Sequence, residues 1–173
     1  LDRAGKPDEA VKSYRESVRL APDVALYHYN LGNSLGTLGQ TDAAITELKE
    51  AIRLNPKHVD SHTVLGMEYY NMGRYEEAVG QLSDTVRLDP KNEYALPSRC
   101  PAYLILNRNA EAAADAEKFI ATHGWKHEQS IYMALFGSLG HRFAGKEGAA
   151  RKLLETATNN LDKTQWPAPA VLY

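Results

Sequence analysis

The chain has 173 residues, 43% hydrophobic and 24% charged, with a formal net charge of −2 and a pI near 6.3. This is an ordinary soluble balance, and it offers no basic surface for nucleic acid or an anionic membrane. A single cysteine, Cys100, excludes an intrachain disulfide framework and suits a reducing compartment, so a cytoplasmic location is expected. No apolar run approaches the ~18 residues of a membrane span. The chain opens at Leu1 rather than Met, which leaves a removed leader, a lipid anchor or a further domain open.

Taken in chain order, the residues repeat. Segment 1–22 carries Gly5, Ala10, Tyr14 and Pro22 and reads as the second helix of a pair whose first helix is cut away. Segment 23–56 brings Leu31-Gly32, Gly39, Ala44, Leu48, Arg53-Leu54 and Pro56, and segment 57–90 repeats it position for position as Leu65-Gly66, Gly73, Ala78, Leu82, Arg87-Leu88 and Pro90. A fixed period of this kind is the mark of stacked supersecondary units. Within 57–90, Val64, Leu65, Tyr69 and Met72 recur at helical spacing, as do Tyr75, Ala78, Val79, Leu82 and Val86. Each unit is therefore expected to be two antiparallel helices, with Gly73 ending the first and the basic residue and proline of "RLDP" ending the second. Neither helix buries its apolar face alone, so neighbours must stack.

Segment 91–126 is less regular. It keeps Tyr103, Ala112 and Ala113, but has Arg99-Cys100 for Leu-Gly and prolines at 97 and 101, of which Pro101 is expected to bend or break its helix. Segment 127–162 shows Gly145, Ala150, Leu154 and Ala157 four residues late, which places a one-turn insertion around "THGWKHEQS". Segment 163–173, with Trp166 and two prolines before an apolar run, reads as entry into a further helix.

These residues resemble the tetratricopeptide repeat, whose pattern runs W-x2-L-G-x2-Y, then A-x3-F, then P. The best copy supplies Leu65, Gly66, Tyr69, Ala78, Leu82 and Pro90, and the preceding copy supplies Leu31, Gly32, Leu35, Ala44, Leu48, Ala51 and Pro56. Both replace the tryptophan by histidine, His28 and His62. The resemblance implies an all-α fold, a right-handed superhelical solenoid of antiparallel helix pairs forming a single domain over 1–173.

Candidate chemistry is sparse. His58 and His62, and likewise His123 and His127, stand four apart, a spacing that could pair on zinc; neither motif has a metalloprotease glutamate, and His28 and His62 share a repeat position where a ring packs between helices. Cys100 takes the place of Gly32 and Gly66 and reads as a packed thiol. "ITELKE" and "YEEAV" read as solvated faces of second helices, and no glycine loop has phosphate-cradling spacing. No enzyme activity, metal or cofactor is expected.

What remains is the concave face that stacked first helices create. Helical offset from Leu31 and Gly32 assigns to it Leu26, Tyr29, Asn30, Asn33 and Thr37; one unit on it assigns Asp60, Thr63, Met67, Tyr70 and Asn71. Tyr94, Ser98 and Leu104 follow, then Tyr132, Leu135, Leu139 and Arg142. The binding set expected is Tyr29, Asn30, Asn33, Thr63, Met67, Tyr70, Asn71 and Tyr94. Tyrosine gives contact area at low conformational cost, and an asparagine amide both donates to and accepts from an extended backbone, so a largely neutral peptide fits. Family members that hold acidic chaperone tails use a clamp of lysine, asparagine and arginine. Here Asn33 matches, whereas Tyr29, Val64, Tyr94 and Ser98 occupy the other clamp positions, which disfavours such a ligand. The expected function is a non-enzymatic protein-interaction scaffold, the alternatives being self-assembly through exposed repeat ends as a homo-oligomer and an accessory arm of a larger enzyme.

Overall fold

The computed structural model describes residues 7–160, all of whose regular elements are helices: α1 (Pro7–Leu20), α2 (Ala25–Thr37), α3 (Thr41–Leu54), α4 (Val59–Asn71), α5 (Tyr75–Leu88), α6 (Ala95–Ile105), α7 (Asn109–His123), α8 (Ser130–Phe143) and α9 (Glu147–Asn160). Gly5 and the helix expected over 163–173 lie outside the described residues. The chain divides into two compact units, residues 1–98 and 99–173.

The recurring punctuation has a common backbone cause. First and second helices of a pair are joined through a residue in the left-handed region: Gly39 at φ 72°, Gly73 at φ 73° and Gly145 at φ 74°. The fourth repeat keeps the device without glycine, since Asn107, the counterpart of Gly73 one repeat on, sits at φ 57°. Asparagine is the side chain that tolerates this region best. Each turn closes with two hydrogen bonds that take up orphan helix carbonyls, Gln40 to Leu35 and Gly39 to Gly36 in one copy, and Arg108 to Tyr103 and Asn107 to Leu104 in another.

In unit 1 the pairs are held by small residues at helix crossings. A Cβ on Gly32 would lie 2.8 Å from Leu48 Cγ, and one on Gly66 would lie 2.7 Å from Leu82 Cγ. Leu48 and Leu82 are fully buried there. The core runs from Val11, Leu31, Leu35 and Ala44 to Ile45, Leu48, Leu65, Tyr69 and Ala78. His28 and His62 do more than pack. The His28 ring bonds the Pro22 carbonyl (2.8 Å) and Glu47 (2.7 Å), and the His62 ring bonds the Pro56 carbonyl (3.0 Å) and Gln81 (2.9 Å). Each ring thus ties the preceding proline turn to its own second helix. On the exposed faces, Glu16–Arg19, Glu50–Arg53 and Asp84–Arg87 repeat one ion pair at the same register, a contact worth little in water.

In unit 2, α7 packs on α8 and α8 on α9. The four extra residues of the last repeat are spread out. α7 is one residue longer than α3, the connection 124–129 two longer than 55–58, and α8 one longer than α4.

The helix break expected at Pro101 does not occur, because α6 continues through it from Ala95 to Ile105. Pro97 falls in the first turn, where no amide is needed, so only the bond from position 101 is lost. Anchors on the unit 2 side of the boundary offset it. The Arg99 guanidinium grips Asp115 through Nε (2.8 Å) and Nη2 (2.7 Å), and the Cys100 thiol donates to the Ala112 carbonyl at 3.2 Å. Loss of water pushes the Cys100 thiol up to about 12, and the Asp115 charge pushes it the same way. That is the packed, buried thiol expected from the repeat register.

Candidate functional site

All eight residues of the expected binding set fall in unit 1. Its first helices α2 and α4 are packed side by side. Tyr29 is half-buried against the core cluster, its ring 4.9 Å from that of His58. Tyr70 packs on the same cluster from α4 and meets Tyr75 edge-on at 5.4 Å. The two tyrosines are thus brought onto one core. Asn30 and Asn33 are half-buried beside Tyr29, and Asn71 is exposed on α4. Met67 is 40% exposed and Tyr94, just before α6, is 51% exposed. Loss of water raises the Tyr70 phenol above its ordinary value, with Tyr75 adding to the effect, so it is a neutral donor and acceptor.

Thr63 does not belong to this surface. It is 5% exposed, and its hydroxyl bonds the Val59 carbonyl (3.0 Å) and the Thr85 hydroxyl (3.3 Å) of α5. A short side chain at this position turns toward its own second helix, whereas Tyr29, one repeat earlier, is long enough to reach His58 of the next repeat.

One residue of the site escapes the sequence reading. Glu68 of α4 is 8% exposed, and a Cβ on Gly36 would lie 2.4 Å from its Oε1. Its carboxylate therefore fills the slot left empty at position 36, the counterpart of Tyr70 one repeat on. Burial pushes this carboxyl above its ordinary range, while the Thr41 hydroxyl, hydrogen-bonded to it, pulls the other way without offsetting the lost water. The folded chain thus holds the Glu68 proton more tightly than the unfolded chain does. The stability this contributes is complete below the ordinary carboxylate pKa of 4.5 and is lost as pH rises through the raised folded value. Urea midpoints of the wild type and Glu68→Gln should therefore diverge in favour of the variant between about pH 4 and pH 7. A gap independent of pH would show that Glu68 titrates alike folded and unfolded.

The rings of both histidine pairs are engaged by neighbouring groups of the chain. His58 Nδ1 accepts from the Ser61 amide at the start of α4, and both His62 ring nitrogens are engaged as described above. In unit 2, His123 stacks on Phe119, and His127 meets both rings edge-on. Among the described residues no group of three or more His, Cys, Asp or Glu could hold a metal ion. No described helix is long and apolar enough to cross a membrane.

The sequence pattern of the tetratricopeptide repeat matches residues 1–59, 29–93 and 63–124, well over half of the chain. The chain belongs to the tetratricopeptide repeat family. Solved tetratricopeptide repeat structures share its fold. One crystal structure of MamA superposes with a TM-score of 0.84 at 19% identity, covering 94% of this chain and 93% of that one. MamA 41-end from Desulfovibrio magneticus RS-1 gives 0.81 at 19% identity, covering 94% and 89%. YrrB, described as a TPR protein with an unusual peptide-binding site, gives 0.80 at 15% identity, covering 95% and 83%. At these identities the likeness is one of fold. Among curated proteins none matches the sequence.

Proposed function

We propose that unit 1 is a non-enzymatic protein-interaction module whose first-helix face, lined by Tyr29, Asn30, Asn33, Met67, Tyr70, Asn71 and Tyr94, takes an extended, largely neutral segment of a partner protein. The observation that carries this reading is the pairing of half-buried rings with uncommitted amides. Asn30, Asn33 and Asn71 make no side-chain hydrogen bond among the described residues, whereas the rings beside them are fixed on the core. Held rings and free amides match an extended peptide, which needs apolar contact for its side chains and donors and acceptors for its backbone. The peptide-binding site of YrrB, on the same fold, lends this reading support. Nucleic acid is a poor ligand for such a face, because α2 and α4 carry no lysine or arginine to meet its phosphates.

The test is a selection from a random peptide display library on the wild type and on Tyr29→Ala/Asn33→Ala/Tyr70→Ala, with light scattering confirming matched oligomeric states. Peptides enriched by the wild type should lose roughly 10- to 100-fold in affinity for the triple variant, as expected when anchoring aromatics are truncated. Equal enrichment by both proteins would refute the groove and favour self-assembly through the repeat ends.

A further inference from the structure

The charges on the groove helices are one-sided. α2 carries no Asp, Glu, Lys or Arg, and α4 carries two acids, Asp60 and Glu68. Asp60 is exposed and needs no explanation, but Glu68 does. An ionised carboxylate has about four acceptor sites, and the Thr41 hydroxyl is its one evident partner. Glu68 forms no ion pair among the described residues, and the cations of the neighbouring elements lie on other groups, Arg74 on Glu77 and the Tyr69 ring (4.5 Å) and Lys49 over the same ring at 5.8 Å. Neither contributes to the environment of the Glu68 carboxyl, which is set by lost water and by Thr41.

The carboxylate also lies where a ligand would run. Gly36 holds a groove position on α2, one turn beyond Asn33, and Glu68 Oε1 stands directly over it. A buried acid without a cation is costly unless something brings one. Resting on the groove reading above, we propose that Glu68 is the cation-receiving point of the groove: a partner segment lying across α2 and α4 sets one arginine over Gly36, its guanidinium on the Glu68 carboxylate. The rest of the segment stays neutral, in keeping with the amides and rings that flank this point. Asp60, exposed on the same helix, adds to the attraction at long range.

The proposal is tested without a peptide. The 15N-labelled chain is titrated at pH 7 with N-acetyl-arginine N-methylamide and, separately, with its uncharged isostere N-acetyl-citrulline N-methylamide. The arginine probe should shift the amides of Gly36 and Thr41 saturably. The citrulline probe should bind at least about tenfold more weakly, the scale of one charge-assisted pair. Glu68→Gln, which keeps the side-chain volume and relieves a buried charge, should fold and erase the difference between the probes. Equal responses to the two probes, no response to either, or an unchanged preference in Glu68→Gln would each overturn the assignment. The library selection separates the two readings, because a wild-type motif with no basic position would sink this proposal and leave the groove standing.

Discussion

Gly140→Ala is expected to cost about 3 kcal/mol or more, the top of the range for overpacking a closed core. A Cβ at 140 would stand 2.6 Å from the Asn109 carbonyl oxygen and 2.9 Å from the Ala113 nitrogen, both main-chain atoms of α7. Backbone held by helical hydrogen bonds has no rotamer to change, so α7 and α8 must part along their length to admit one methyl group. Gly32→Ala meets a side chain, Leu48, that has some freedom, and should cost less. Gly80 and Gly148 have nothing within 4 Å of the added atom. Gly80→Ala, inside α5, should instead stabilise by roughly 0.5–1 kcal/mol through helix propensity. Urea midpoints of the three variants check the order, and a Gly140→Ala protein as stable as the wild type would mean that the α7–α8 crossing is looser than described.

The second large effect is expected at Asp115. Its carboxylate is 8% exposed and the Arg99 side chain 11% exposed, joined by two parallel hydrogen bonds. Burial works against the Arg99 charge, yet the hydrogen bonds and charge of Asp115 leave the guanidinium above its ordinary value. Asp115→Ala strands that cation in a dry site and should cost about 3–5 kcal/mol. Glu50→Ala, which breaks the exposed pair with Arg53, should leave the urea midpoint nearly unchanged. The contrast is the test. A double replacement, Arg99→Met/Asp115→Leu, should recover most of the loss, since what destabilises is the unpaired charge rather than the missing pair. Comparable losses for Asp115→Ala and Glu50→Ala would place Asp115 in water.

The helix pairs are legible because punctuation recurs. Gly39 and Gly73, and the prolines at 22, 56 and 90, mark the same turns at one fixed interval, and one hydrophobic pattern fills the space between. The fourth unit is harder to read because it keeps the geometry while changing the residue: Asn107 takes the left-handed turn, and paired anchors at Arg99 and Cys100 keep α6 intact despite Pro101. Sequence alone puts Thr63 on the groove because helical offset assigns a direction but not a reach. At a position where two faces adjoin, side-chain length decides which one is met, and a threonine hydroxyl finds Thr85 instead. Glu68 escapes notice when charge is sought on second helices. Its signal lies in the contrast between Gly36 and Tyr70, since a repeat position that loses its side chain leaves a volume that a neighbour must fill.

The turns at Gly39, Gly73 and Asn107, together with the histidine ties to Pro22 and Pro56, have a consequence for how such a chain is assembled and altered. Within each unit, every helix finds its partners one or two elements away, so little loop entropy is spent before contacts form. Folding can start at any pair and spread to its neighbours. The same locality makes the repeat a unit of inheritance. A segment cut between two successive proline turns carries its own cap, its own crossing glycine and its own histidine tie, and a gene that duplicates or deletes such a segment changes the length of the array while leaving every remaining junction as it was.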